Sequence, residues 1–246
     1  MDEFIQLDEA FPLAASKLMM ELFKINYSVD PRIIGYVNQQ MESYVGDYEY
    51  WGKNSFTQIP LSGKIEFELK FPTFKLYSAA KRTDLLQNTF SMGRTLLLSP
   101  KAKELLEHQY LDSTQWYEVK VLHNVRRMNY YILYMPNDRQ SELINWSASS
   151  FAIVHRKEFN YEGGVMRPIE VAPLSLNSFE EYLSEMRSLR DTEHKVRLKK
   201  AILVENIKFD LFRMRGPLLG FFCSNRLKTA IEEAGLTGFR FEPVNR

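Results

Sequence analysis

Cys223 is the side chain of this 246-residue chain best suited to nucleophilic chemistry, and it is the only cysteine. It stands just before Ser224 at a predicted helix start, where the positive end of the helix dipole lowers a thiol pKa. His155 or His123 could then act as its base. The competing reading, and the preferred one, is a small buried hydrophobe closing the run Leu219-Gly220-Phe221-Phe222. Many inert residues share a position at a helix start, so position alone does not make a catalyst.

Other chemistries find less support. His108, His123, His155 and His194 are scattered along the chain, without the ligand spacing of a zinc site. Gly216, Gly220 and Gly235 have the wrong spacing for either common phosphate-binding fingerprint. A Gly-x-Ser-x-Gly nucleophile elbow is also missing. The pairs Glu180/Glu181 and Glu232/Glu233 are sequence neighbours on predicted helices and project to solvent, not toward one shared site. The residues therefore predict no catalytic, cofactor-binding or metal-ligating set, and a protein that is not an enzyme.

Recognition chemistry is better represented. Residues 44–52 read Tyr-Val-Gly-Asp-Tyr-Glu-Tyr-Trp-Gly, an aromatic and acidic cluster between two glycines. Tyr and Trp dominate interface hot spots, which makes Asp47, Tyr48, Glu49, Tyr50 and Trp51 candidate partner contacts. The alternative is a strand whose alternate aromatics are simply buried. A second candidate surface is the acidic helix face Glu180, Glu181 and Glu185. Residues 190–200 are densely charged and read as a solvated linker or helix face in preference to a phosphate contact, because one short basic run lacks interleaved stacking aromatics.

These residues need elements to hold them. Residues 212–244 are the most legible: a strand at 219–223, Ser224 as N-cap, a helix over 225–234, Gly235 as stop, a turn at Thr237-Gly238 and a strand at 239–244. A similar order occurs upstream, with a strand at 96–98, Ser99 as N-cap, Pro100 at the first helical position, a helix to His108 burying Ala102, Leu105 and Leu106, and a strand over 116–123. Aligning Ser99 with Ser224 pairs Ala102 with Leu227, Leu105 with Ala230, Leu106 with Ile231 and Leu111 with Leu236, the pattern of a duplicated strand–cap–helix–strand unit.

Elsewhere Ala14, Ala15, Leu18, Met19, Leu22 and Phe23 form an amphipathic helical stripe over 10–24. Residues 65–71 alternate Ile65, Phe67, Leu69 and Phe71 against Glu66, Glu68 and Lys70, which predicts a strand. Strands are also expected at 129–135 and 149–155, with a hairpin over 158–165 turning at Gly163-Gly164, and edges marked by Pro168 and Pro173. Ser178 with Glu181 is a capping box opening a helix that buries Phe179, Tyr182, Leu183, Met186 and Leu189.

Composition sets the frame. Hydrophobic content of 45%, charged content of 26% and 13% aromatic residues describe an ordinary globular chain with a real core. A formal net charge of +1 gives no global electrostatic case for nucleic acid or an anionic membrane. One cysteine excludes an internal disulfide framework and points to a reducing compartment. Met1-Asp2-Glu3 is acidic where a signal peptide is basic, and no run approaches the roughly 20 apolar residues of a membrane span. The expected location is the cytoplasm.

Phe212-Arg213, the run Cys223-Ser224-Asn225-Arg226-Leu227-Lys228 and the run Ala234-Gly235-Leu236-Thr237-Gly238-Phe239-Arg240-Phe241-Glu242-Pro243-Val244 carry a resemblance. They look like the close of a bacterial immunity-protein family named for a myxobacterial member, whose genes lie beside polymorphic toxins. The block Leu97-Leu98-Ser99-Pro100-Lys101-Ala102-Lys103-Glu104-Leu105-Leu106-Glu107 resembles that family too, as does Asp138 with Ser141. The landmarks span residues 84–244; residues 1–80 match nothing. The resemblance implies a protein of interbacterial competition that binds a cognate toxin and blocks it, without catalysis or cofactor, and with the recognisable residues serving as scaffold.

The resulting expectations are an α+β fold, mainly antiparallel sheet with a few short covering helices; an N-terminal subdomain or extension over 1–90; and an immunity-family domain over 91–246. The expected partner is a toxin protein, not nucleic acid or membrane, with a homodimer left open. The alternatives are an enzyme or small-molecule-binding protein with an unrecognised pocket, and a toxin or structural component of the same secretion locus.

Overall fold

The structure, a computed structural model, describes residues 21–87, 94–137, 139–162, 164–204 and 207–244. In chain order the elements are β1 (Leu22–Tyr27), α1 (Pro31–Ile34), β2 (Met41–Val45), a 3-10 helix (Phe56–Gln58), β3 (Thr73–Leu76), β4 (Leu85–Leu86), β5 (Thr95–Leu98), α2 (Pro100–Glu107), β6 (Gln115–His123), β7 (Arg126–Tyr134), α3 (Gln140–Leu143), β8 (Ser150–Glu162), β9 (Val165–Leu174), α4 (Phe179–Ser188), β10 (His194–Lys200), β11 (Leu211–Met214), β12 (Gly220–Ser224), α5 (Asn225–Glu233) and β13 (Phe239–Pro243). The fold is α+β with antiparallel pairing dominant; among the strand pairs of the described residues only β3 and β6 run parallel.

Three sheets result, ordered β2-β3-β6-β7-β5-β4, β11-β12-β1-β13 and β10-β8-β9. The first two contain the same unit. In each, a short edge strand (β4 or β11) pairs antiparallel with the strand that feeds a Ser-capped helix (β5–α2 or β12–α5). The strand leaving the helix (β6 or β13) returns parallel to the feeding strand, with one antiparallel strand between them. That middle place is taken by β7 in one unit and by β1, from the other end of the described chain, in the second. The predicted pairing of Ser99 with Ser224 thus corresponds to a repeated arrangement of elements.

Local chemistry sets the two helices. Ser99 Oγ accepts the amide of Ala102 at 3.1 Å, and Ser224 Oγ accepts that of Leu227 at 3.2 Å. Each cap satisfies one amide that the first helical turn leaves unpaired. Pro100 needs no such partner, which suits it to the first turn. At the far end of α5, Gly235 sits at φ +63°, Leu236 N–H donates to Ile231 O at 3.1 Å and Gly235 N–H to Glu232 O at 3.0 Å, the paired bonds of a Schellman stop.

Packing follows the alternation of the strands. Leu96, Leu98, Leu133, Phe221 and Cys223 point into a core shared by both units and covered by Ala102 and Leu106 of α2 and Leu227 and Ile231 of α5. Leu97, Ile132 and Tyr130 point the other way, onto Phe74, Leu76 and Val121. Phe212 and Phe222 face a third cluster around Trp146, Phe151 and Tyr182, which joins the four-stranded sheet to α4 and the β10-β8-β9 sheet.

Several expectations are corrected. Leu22 and Phe23 belong to β1, not to a helix; the rest of that stripe, over 10–20, lies outside the described residues. β1 is covered on both faces, Leu22 by one cluster and Ile25 by another, so its buried residues recur at a three-residue interval that imitates a helix. Residues 65–71 form no strand beyond one bridge, Ser55 to Lys70; Ile65 is buried and Phe67 exposed. Lacking a neighbour to bond, the alternating pattern remains irregular chain. The run at 190–200 is neither linker nor helix face but enters β10, paired along its length with β8. The hairpin of β8 and β9 closes where expected, with Glu162 opposite Val165, while Gly163 and Asp138 lie outside the described residues. Apart from these corrections, strands from both sides of residue 90 share sheets: β4 pairs with β5, and β1 lies between β12 and β13.

Candidate functional site

The aromatic cluster begins where β2 ends. Gly46, at φ +98°, turns the chain out of the strand, so residues 46–52 form a loop and not the alternating strand allowed by the sequence. Tyr48 anchors it from inside. Its hydroxyl accepts the amide of Phe56 at 2.8 Å, donates to Lys70 O at 2.8 Å and meets Ser55 Oγ at 2.9 Å. Its ring stacks on Phe56 at 5.6 Å, and Phe56 is buried with Ile59, Ile65 and Tyr134. Tyr50 packs edge-on against the same Phe56 at 5.5 Å.

From this anchor the aromatic rings run outward. Tyr44 stacks on Tyr50 at 5.9 Å, and Trp51 meets Tyr50 edge-on at 4.7 Å. Trp51 is 79% exposed, and Tyr44 and Val45 are also exposed. Asp47 and Glu49, in the same loop, are exposed. A rigidly backed indole with acidic neighbours is suited to fill a pocket on a partner at little entropic cost. Tyr44 opens the aromatic run but was not among the candidate contacts named from it; its contact with Tyr50 is what adds it.

The acidic face of α4 is a separate surface. Glu180 and Glu181 are exposed and Glu185 half-buried, on a helix that packs onto Trp146 and Phe151 and not onto the Phe56 cluster. Ser178 Oγ accepts Glu181 N–H at 3.1 Å, as a capping box requires, but Glu181 Oε2 reaches back to Asn177 N–H at 2.7 Å, one residue earlier than expected. Glu181 therefore already has a structural task.

Cys223 is fully buried, and burial pushes its thiol up to about 12, so the thiolate is not formed at neutral pH. His123 Nε2 lies 3.2 Å from Ser78 O, while His155 packs against His194 at a ring separation of 4.7 Å. The described geometry thus supports the buried-hydrophobe reading of the cysteine.

No family model matches this chain, and neither does any curated protein. The resemblance therefore rests on its residues alone.

Two groupings were not visible in the sequence. His155 and His194, expected to be scattered, are cross-strand partners, and ligand atoms of His155, Glu158 and Glu193 lie within 4.8 Å of one another. An irregularity in β8 between Val154 and Phe159 produces this by lifting residues 155–158 away from β9. The second is a cleft of about 720 Å³ between β10 and the four-stranded sheet, lined by Lys24, Lys195, Arg197, Lys199 and Lys200. Its sequence signal was the alternation Lys195, Arg197, Lys199, a strand pattern inside a run read as solvated. No helix among the described residues is long and apolar enough to cross a membrane.

Proposed function

We propose that the chain is a cytoplasmic immunity protein that binds a cognate bacterial toxin stoichiometrically and occludes its active site. The single observation carrying this is Trp51: an indole 79% exposed at the end of a ring stack whose inner member is locked by hydrogen bonds. Such an arrangement is costly to leave in water and suits a protein partner. Asp47 and Glu49, exposed in the same loop, favour a basic pocket, the kind found in enzymes that cut nucleic acid. The resemblance of residues 84–244 to immunity proteins supplies the class of partner. In this reading the two Ser-capped units are scaffold, and the loop they hold at a distance does the choosing.

The test is co-expression with the toxin encoded beside this gene. Wild-type protein restores growth and forms an equimolar complex; Trp51→Ala loses rescue while keeping its thermal melt. Absence of rescue by the wild-type protein against every neighbouring toxin product overturns the proposal.

A further inference from the structure

β10 is the outer strand of its sheet: β8 bonds one side, and among the described residues no strand pairs with the other. The cleft of about 720 Å³ borders that open side and also reaches Phe159 of β8 and Pro168 of β9. Every consecutive residue from Lys195 to Ala201 lines it. A strand shows only alternate side chains to a surface lying over its face, so a wall containing all of them includes the strand's edge, where unpaired backbone groups face outward, as well as part of the face. The opposite wall comes from the four-stranded sheet, with Lys24, Phe222 and Val244, and the turn at Gly216-Pro217 closes one end.

Charge in this cleft is unbalanced. Among the described residues, Lys24, Lys195, Arg197 and Lys200 have no acidic partner, while Lys199 pairs with Glu170 at 2.8 Å. Glu242, the one acid among the described residues lining the cleft, is held by Arg240 at 2.7 Å. Lysines on an edge strand ordinarily deter pairing with another neutral or basic edge. The same charges favour a strand that brings carboxylates, and Lys24 on the facing wall adds a cation that guarding the edge does not require.

We propose that this cleft receives an extended acidic peptide segment of a protein partner, added as an antiparallel or parallel strand to the free edge of β10. The cations of β10 are spread along roughly 17 Å at strand rise, so they match carboxylates repeated along a chain better than one phosphate. Among the described residues Phe159 is the only exposed aromatic side chain lining the cleft, which provides no platform for successive stacked bases. The surface is distinct from the Trp51 loop, and the proposal stands whether or not the toxin reading does.

The experiment is fluorescence anisotropy with a labelled ten-residue peptide alternating Glu and Val. Controls are the same peptide with Pro replacing each Val, which keeps the charge but removes those backbone donors, and a labelled ten-residue oligothymidylate. The expected result is saturable binding of the Glu-Val peptide, weakened at least about tenfold by the Pro substitutions and by the triple variant Lys195→Glu, Arg197→Glu, Lys200→Glu. Amide exchange in residues 195–200 slows when the Glu-Val peptide is bound. Should the triple variant fail to fold, Lys24→Glu on the facing wall weakens binding in its place. No binding of the Glu-Val peptide at about 1 mM, a weak-affinity ceiling, overturns the proposal. Equal binding of the Pro peptide, or tighter binding of the oligothymidylate, overturns it as well.

Discussion

Asp84 and Asp210 hold the two Ser-capped units together by the same reciprocal bonds. Ser99 Oγ donates to Asp84 Oδ1 at 2.7 Å, and Ser224 Oγ donates to Asp210 Oδ1 at 2.7 Å. Each second carboxylate oxygen then takes an amide from beyond the other unit's helix: Thr237 N–H to Asp84 Oδ2 at 2.8 Å, Tyr110 N–H to Asp210 Oδ2 at 3.0 Å. The backbones repeat the exchange, with Asp84 N–H donating to Thr237 O at 3.0 Å and Asp210 N–H to Tyr110 O at 2.7 Å. Each aspartate thus ties its own helix cap to the exit of the opposite helix.

Removing either carboxylate should loosen the whole assembly. Asp210 is buried and also pairs with Arg226, so Asp210→Ala strands the Ser224 hydroxyl and the Tyr110 amide. The expected loss is about 2–4 kcal/mol, read by urea denaturation. The cap variant Ser224→Ala should lose about 1 kcal/mol, because backbone bonds still join the units.

Acid should act through Asp210 and through a second buried carboxyl, Asp112. Burial alone would raise the Asp112 carboxyl, but hydrogen bonds from Arg139, Asn137 and the Ser113 amide outweigh it and hold it below the usual range. Asp210 likewise is raised by burial and lowered further by Arg226, Ser224 and the Tyr110 amide. A carboxyl with a folded-state pKa below its unfolded value, about 3.9, contributes stability that is complete above that pH and lost as pH falls through the folded value. Melting temperature should therefore drop steeply below about pH 4, and less steeply in Asp112→Asn and Asp210→Asn.

Two glycines after α5 should respond differently. At Gly235 a Cβ would meet nothing within 4 Å, so Gly235→Ala carries only the backbone penalty of φ +63°, about 1–2 kcal/mol. At Gly238, φ +90°, a Cβ would lie 2.2 Å from Leu85 O, in the segment that joins the units. Gly238→Ala should cost more than about 3 kcal/mol, and chemical denaturation of the two variants checks the order.

Cys223 should be silent to alkylation in the native protein. With the thiol buried and pushed up to about 12, iodoacetamide at pH 8 should modify it only on unfolding. Mass spectrometry with and without denaturant reads this directly; rapid native labelling would contradict the packing of β12.

What the sequence disclosed was mostly local chemistry. Ser99, Ser224, Pro100 and Gly235 act within a few residues of themselves, so their roles were readable from spacing. Strand partners are not local. The alternating residues 65–71 have the pattern of a strand yet find only one bridge, while Leu22 and Ile25 imitate a helix because β1 is covered on both faces. The loop holding Trp51 was recognisable by composition, but its anchoring runs through hydrogen bonds of Tyr48 with Phe56 and Lys70, which composition does not show. The basic cleft needed two sheets to meet, and β10 alone showed half of it.

The most direct measurement for the account is isothermal titration of the neighbouring toxin domain into this protein, paired with growth rescue. Wild-type protein should bind at one-to-one stoichiometry and rescue growth, and Trp51→Ala should weaken binding by at least about 2 kcal/mol, roughly thirtyfold, with an unchanged melt. Full rescue and undiminished affinity in the Trp51→Ala, Tyr50→Ala double variant would contradict the account.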